Sequence, residues 1–343
     1  MAAPIFPAQD SDSLLHDESY QKYLRLVSTL PKERGWITEH IHLYQGFWFA
    51  TDILQGVITL QQQQYLKLAQ PSSTTSDVLL VSYPKSGTTW LKALLFTIMN
   101  RTRYDFHTHP LLTSNPHQCV PFLDLYAKDN PKNPIPDVPL MATHIPYSSL
   151  PESIFSASAA GHHHCRMVYV FRDPKDVLVS QWHFAGRHKR SERVKPLPLQ
   201  EAFELFSRGD SPYGSFWDHV LGYWKASLEC PDRVLFLKYE DMKSEPLVHV
   251  KRLAEFIGQP FSLEEENEGV VHKITDLCSF ENLSNLEVNK TGSHSSRNSV
   301  TTFANNTYFR QGKAGDSKNY LTAEMIQHLD QITKHKFNGF DFI

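Results

Sequence analysis

Cysteine is sparse in this chain: the four present, Cys119, Cys165, Cys230 and Cys278, stand far apart, without the paired spacing of a zinc site or the density of a disulfide scaffold. A reducing compartment follows. No apolar run approaches the about 18 residues needed to cross a bilayer, and Met1 to Leu15 lacks a basic stretch leading into an apolar one. The expectation is a cytoplasmic protein with no membrane partner. Excess positive charge is missing too: 34 Lys and Arg against 37 Asp and Glu leave a net charge of -3, too weak a basic field to hold nucleic acid. Any anion must therefore be held by a local arrangement of groups. Repeats and internal linkers are absent, so residues 21–343 are expected to form one domain behind a small, polar, acidic tail at 1–20, with helix beginning near Tyr23 and Leu24. Four N-x-Ser/Thr triplets, at Asn100, Asn282, Asn289 and Asn305, are chance matches if the chain never enters a secretory path.

What is present is a cadence repeated three times. Asp77 to Ser82 is a short apolar run, Tyr83 to Thr89 breaks it, and Trp90 to Met99 continues at helical length. Met167 to Phe171 is followed by Arg172-Asp173-Pro174 and an amphipathic stretch from Lys175 to Phe184, where Pro174 suits a first helical turn. Val234 to Lys238 precedes Tyr239-Glu240-Asp241 and a helix-like Leu247 to Ile257 closed by Gly258. Buried strands alternating with helices predict an α/β domain with a central parallel sheet flanked by helices on both faces. Ligands in such sheets gather beyond the carboxyl ends of the strands. The loops after Ser82, Phe171 and Lys238 should converge there, and so should Ala142-Thr143-His144 after the run Val138 to Met141. Thr291 to Thr307, rich in Ser, Asn and Thr, reads as a long mobile loop placed to close over a ligand.

The first loop has the makings of an anion site but not the order of a Walker loop. Lys85 precedes Gly87 instead of following a last glycine, and no glycine stands near position 82, which disfavours a standard nucleotide triphosphatase. Gly87 nevertheless allows close backbone approach, Ser86, Thr88 and Thr89 add donors, and a helix begins at its positive end. Pro84-Lys85-Ser86-Gly87-Thr88-Thr89-Trp90 resembles the 5'-phosphosulfate signature of the cytosolic sulfotransferases, which use 3'-phosphoadenosine 5'-phosphosulfate (PAPS). By that resemblance Lys85 contacts the bridging oxygen of the leaving phosphate and Trp90 stacks on adenine.

Further segments extend the likeness from about Tyr23 to the C-terminus. Val168 to Phe184 is similar to the family's 3'-phosphate segment, which implies that Arg172 and Ser180, eight residues apart, bind that phosphate. Tyr239-Glu240-Asp241-Met242-Lys243 resembles the segment whose tyrosine touches adenine, and Cys278-Ser279-Phe280 the one whose phenylalanine closes the other face. Arg310-Gln311-Gly312 to Asn319 resembles the element that completes the 3'-phosphate site, with Gln311 where lysine and Ser317 where tryptophan are usual. Leu150-Pro151-Glu152, Asn115-Pro116-His117 and Ser284 to Lys290 look like plant-type members, whose acceptors include flavonoids, steroids, hydroxyjasmonates, salicylates and desulfoglucosinolates.

Sulfuryl transfer to an alcohol needs a base, stabilised charge and exclusion of water. Thr143-His144-Ile145-Pro146 resembles the family's element that supplies the base, which implies that role for His144 among the 18 histidines. Ala142 stands where many animal members have an assisting lysine, so Lys85 and backbone donors are expected to carry that charge. In-line transfer without an obligatory metal is expected. His162-His163-His164 is expected to be a surface loop, since three adjacent residues cannot readily turn toward one ion. Phe47, Trp48, Tyr147, residues 105–130 and the segment after Phe184 are expected to shape a pocket for a small hydroxyl acceptor. Lys318 to Gln327 keeps only part of the family's dimer element, which implies a monomer. Two other readings of the residues stay open: a nucleotide-dependent kinase, and a catalytically silent small-molecule binding protein.

Overall fold

All three apolar runs become strands. The computed structural model describes residues 18–62, 78–131, 138–154, 165–188, 194–295 and 302–340. An antiparallel sheet of β1 (Lys32–Arg34), β2 (His40–Tyr44) and β3 (Phe47–Ala50) precedes the central sheet of β4 (Val78–Ser82), β5 (Leu140–Thr143), β6 (Arg166–Phe171) and β7 (Val234–Lys238). The central strands are parallel throughout, in the order β5-β4-β6-β7. The chain steps from β4 to β5 on one side and then crosses to β6 on the other, so the direction of winding reverses beside β4. That reversal opens a crevice at the strand ends, where the loop after Ser82 lies.

Alternation along the strands feeds two cores. Val78, Leu80, Val168, Val170, Leu235 and Leu237 face helices α3 (Thr88–Asn100) and α8 (Pro246–Phe256), packing on Leu91, Leu94, Ile98, Val250 and Leu253. Leu79, Val81, Met167, Tyr169 and Phe171 share the other core with α2 (Thr51–Gln62), α6 (Phe216–Glu229) and α11 (Ala323–Lys336). Both faces of one sheet are thus covered, as near-continuous apolar strands require. The remaining helices used below are α1 (Glu18–Thr29), α4 (Leu123–Asp129), α5 (Pro174–Arg187), α7 (Tyr239–Ser244), α9 (Val270–Leu277) and α10 (Phe280–Asn285).

Local differences from the sequence reading have local causes. Helix α1 starts at Glu18 rather than near Tyr23, and the tail before it lies outside the described residues, as do His162–His164. The side chain of Asp173 accepts from the amide of Lys175 and Pro174 fills the first turn, so α5 starts as expected but runs on to Arg187. Thr291–Thr307 is more structured than its composition implied: β8 (Ser293–Ser295) pairs antiparallel with β9 (Thr302–Ala304), and 296–301 lie outside the described residues. Asn305 fastens this hairpin, its amide reaching Gly292 O at 2.9 Å and its side chain Val288 O at 2.8 Å. Asn289, likewise buried, accepts from Asn115 at 2.8 Å. Two of the four triplets therefore begin with an asparagine that serves as an internal tie.

Candidate active site

The loop from Tyr83 to Gly87 turns tightly because two of its residues take left-handed backbone, Lys85 at φ 71° and Gly87 at φ 113°. A side chain at position 87 would meet the Tyr239 ring at 2.8 Å, so glycine is required on both counts. No side chain caps the start of α3, which leaves its first amides for an anion. Thr88 is held by a 2.7 Å hydrogen bond between its hydroxyl and that of Ser82.

Three further loops meet this one at the carboxyl ends of the strands. Arg172, just past β6, donates to Lys85 O at 3.3 Å, to Lys313 O at 2.9 Å and to Asp176 Oδ2 at 3.1 Å, and lies 4.8 Å over the Tyr239 ring. Asp176 also accepts from the amides of Gly315 at 2.7 Å and Ser317 at 2.9 Å, fastening the loop after Arg310 to α5. Arg310 pairs with Asp316. The Nε atoms of Arg172 and Arg310 are buried and have no partner among the described residues. Trp90 meets Tyr239 edge-on at 5.7 Å, and a side chain at Gly312 would strike Phe280 at 2.3 Å.

One cavity of about 900 Å³ gathers these groups. Its wall includes Lys85, Gly87, Thr88, Thr89, Trp90, His144, Arg172, Ser180, Tyr239, Phe280, Arg310, Gln311 and Gly312, thus every candidate residue except Ser86, which is fully buried and off the wall. The acceptor-side expectation is corrected in part. Phe47, Trp48 and Tyr147 are not on the wall: Phe47 packs over Gly214, and the Tyr147 ring meets Tyr223 edge-on at 5.4 Å. Trp36, Ile37, Ala50 and Ile53, delivered by the β1–β3 sheet and α2, take their place beside Phe122, Leu125 and Tyr213. Sequence reasoning missed these because Trp36 and Ile37 lie in a connection between short strands, and Ala50 and Ile53 at a strand-to-helix junction far along the chain from the motif-bearing loops. Among the described residues there is no group of three or more side chains able to hold a metal ion, and no helix long and apolar enough to cross a membrane.

Electrostatics divide the cavity. Burial, with the charges of Arg172, Arg310 and Arg187, lowers the Lys85 ammonium from 10.5 to about 7. Its Nζ sits 4.1 Å over the Phe184 ring. Burial also lowers His144 from 6.5 to about 3, against the opposing effect of a hydrogen bond to Ser82, with Lys92, His219 and Lys85 lowering it further. The imidazole is therefore neutral. Its Nδ1 lies 2.6 Å from Ser82 O, a carbonyl that only accepts, so Nδ1 carries the proton and Nε2 keeps a free lone pair. The ring is braced by Phe122 at 4.9 Å and Tyr213 at 5.2 Å, and its backbone carbonyl accepts from His219 Nε2 at 3.0 Å.

Comparison with known proteins identifies relatives along nearly the whole chain. The sulfotransferase domain family matches residues 75–341. A flavonol sulfotransferase-like protein of Flaveria bidentis is 48% identical over 318 residues, covering 92% of this chain and 97% of its own. The crystal structure of an Arabidopsis thaliana putative steroid sulphotransferase, 35% identical, superposes with a TM-score of 0.68 over 98% of both chains. A mouse sulfotransferase complexed with PAP, 25% identical, superposes with a TM-score of 0.62 over 88% of this chain and 96% of that one.

Proposed function

The chain belongs to the sulfotransferase family, and we propose that it transfers the sulfuryl group of PAPS to a hydroxyl of a small, flat acceptor, with His144 as general base and Lys85 stabilising the leaving phosphate. The observation that carries this reading is that one cavity joins the cationic loop to a neutral histidine of fixed tautomer. The donor end fits a nucleotide with two anionic groups: the buried Nε atoms of Arg172 and Arg310 seek acceptors, Ser180 lines the same cavity, and Trp90, Tyr239 and Phe280 supply rings for a purine. The acceptor end, lined by Trp36, Ile53, Phe122 and Tyr213, suits an aromatic ring.

In the proposed step the acceptor oxygen attacks sulfur in line, its proton passes to His144 Nε2, and the bond from sulfur to the bridging oxygen breaks. The electrons of that bond leave with adenosine 3',5'-bisphosphate, the charge offset by Lys85. A donor bearing several negative charges raises the proton affinity of the imidazole while bound, so the base strengthens only when it is needed. The arrangement of Lys85 with Arg172, Arg187 and Arg310 supports transfer without an obligatory divalent ion. That no disulfide joins Cys119, Cys165, Cys230 or Cys278, two of them buried, supports a reducing, cytoplasmic site of action, and residues 21–343 are taken as the catalytic unit of a monomer.

Incubation with sulfur-labelled PAPS, an acceptor panel led by flavonols, and EDTA tests this function. Labelled product should form at an undiminished rate, from a preparation whose light-scattering mass is that of one chain. Folded protein that labels no acceptor would overturn the reading, and loss of transfer in EDTA would replace Lys85 by a metal.

A further inference from the structure

Lys92 has no place in the cavity wall, yet it is among the most deeply buried amines in the protein: burial lowers its ammonium well below 10.5, and the charges of Asp124 and Cys119 oppose that shift. It lies on α3, 0% exposed, with Nζ 3.4 Å from the centre of the Phe122 ring. Nζ donates to Val120 O at 2.8 Å and lies 3.2 Å from His117 Nδ1. On the far side of that ring, His117 Nε2 lies 3.0 Å from Thr89 Oγ1. Phe122 at 5.5 Å and Tyr308 at 4.1 Å hold the imidazole in place. His117 and Thr89 are both on the cavity wall, so the three residues form a line from the core to the phosphate-binding loop.

The hydrogen-bond roles along this line are constrained. An ammonium group has donors only, so with Lys92 protonated His117 Nδ1 must accept and Nε2 must carry the hydrogen. Nε2–H then donates to Thr89 Oγ1, and the hydrogen of Thr89 is released to point elsewhere. Without the ammonium the imidazole is free to take the opposite tautomer, in which Nε2 accepts from Thr89 and turns its hydroxyl away from the cavity.

We propose that Lys92 is a positioning residue for the sulfuryl donor, acting through His117 to make the Thr89 hydroxyl a fixed donor into the cavity. The proposal rests on the reading that the loop at Lys85 binds PAPS.

A kinetic cycle tests it. Lys92→Met keeps length and suits its apolar surroundings; it should raise the KM for PAPS about 10-fold or more, the loss expected for one hydrogen bond to a charged group, and leave the acceptor KM unchanged. Thr89→Val should cost at least as much. The double variant should be no worse than Thr89→Val alone, because Lys92 acts only through that hydroxyl. If the two losses multiply, or if Lys92→Met raises both KM values equally, Lys92 is merely structural and the relay is wrong. His117→Phe keeps the ring packing without nitrogen and repeats the cycle should Lys92→Met not fold; its effect must also vanish in the Thr89→Val background. If Thr89→Val alone changes neither the KM for PAPS nor kcat, the placement of the donor on this loop fails as well, which separates that failure from failure of the relay.

Discussion

Lys85 is surrounded by like charge, and that has a measurable consequence. Because burial and three arginines bring its ammonium down to about 7, it is protonated before the nucleotide arrives only in neutral or acidic solution. Above that value binding must bring a proton with it. Affinity for adenosine 3',5'-bisphosphate should fall by up to about 10-fold per pH unit between about pH 7 and 9, with proton uptake visible by calorimetry in buffers of different ionisation heat. The phosphates themselves are fully ionised across that range, with a second pKa near ~6, so the slope belongs to the protein. Lys85→Met should weaken binding and flatten the profile; a flat profile in the unaltered protein would contradict the assigned role. Lys85 was legible in the sequence from its motif. Its lowered pKa was not, because Arg187 and Arg310 come from distant segments.

At the level of elements, α5 is the beam that carries the proposed nucleotide end of the site. Asp176, 1% exposed, holds Arg172 with the same carboxylate that accepts the amides of Gly315 and Ser317. Asp176→Asn removes the charge and turns one acceptor into a donor facing those groups, so the loop after Arg310 should loosen. PAPS binding should weaken about 10- to 100-fold, while adenosine 5'-phosphosulfate, which lacks the 3'-phosphate, should bind as before. Equal losses for both nucleotides in a titration would remove Asp176 from the 3'-phosphate site. The sequence segment Val168 to Phe184 contained this aspartate, yet nothing in it distinguished a residue that ties down a loop far along the chain. The hairpin of β8 and β9 was illegible for a related reason: its Ser and Thr residues are stabilised by cross-strand bonds and by Asn305, which composition does not reveal.

Across the whole molecule, the parallel sheet and the meeting of the motif loops at one cavity were readable because buried parallel strands leave continuous apolar runs and their loops hold rigidly spaced motifs. The acceptor end was read less well, since Trp36, Ala50 and Ile53 reach it from the small β1–β3 sheet while Phe47 and Tyr147 pack elsewhere. Both ends have to work on one sulfuryl group, and His144 stands where they meet. Transfer rates of the unaltered protein and of His144→Asn, measured on an alcohol acceptor and on an acidic phenol with nucleotide affinity recorded alongside, test the central claim most directly. Losing the base should cost ~100- to 10,000-fold on the alcohol and less on the phenol, which arrives partly ionised, with nucleotide affinity unchanged. Near-normal turnover of the alcohol by His144→Asn, with the nucleotide still bound, would contradict it.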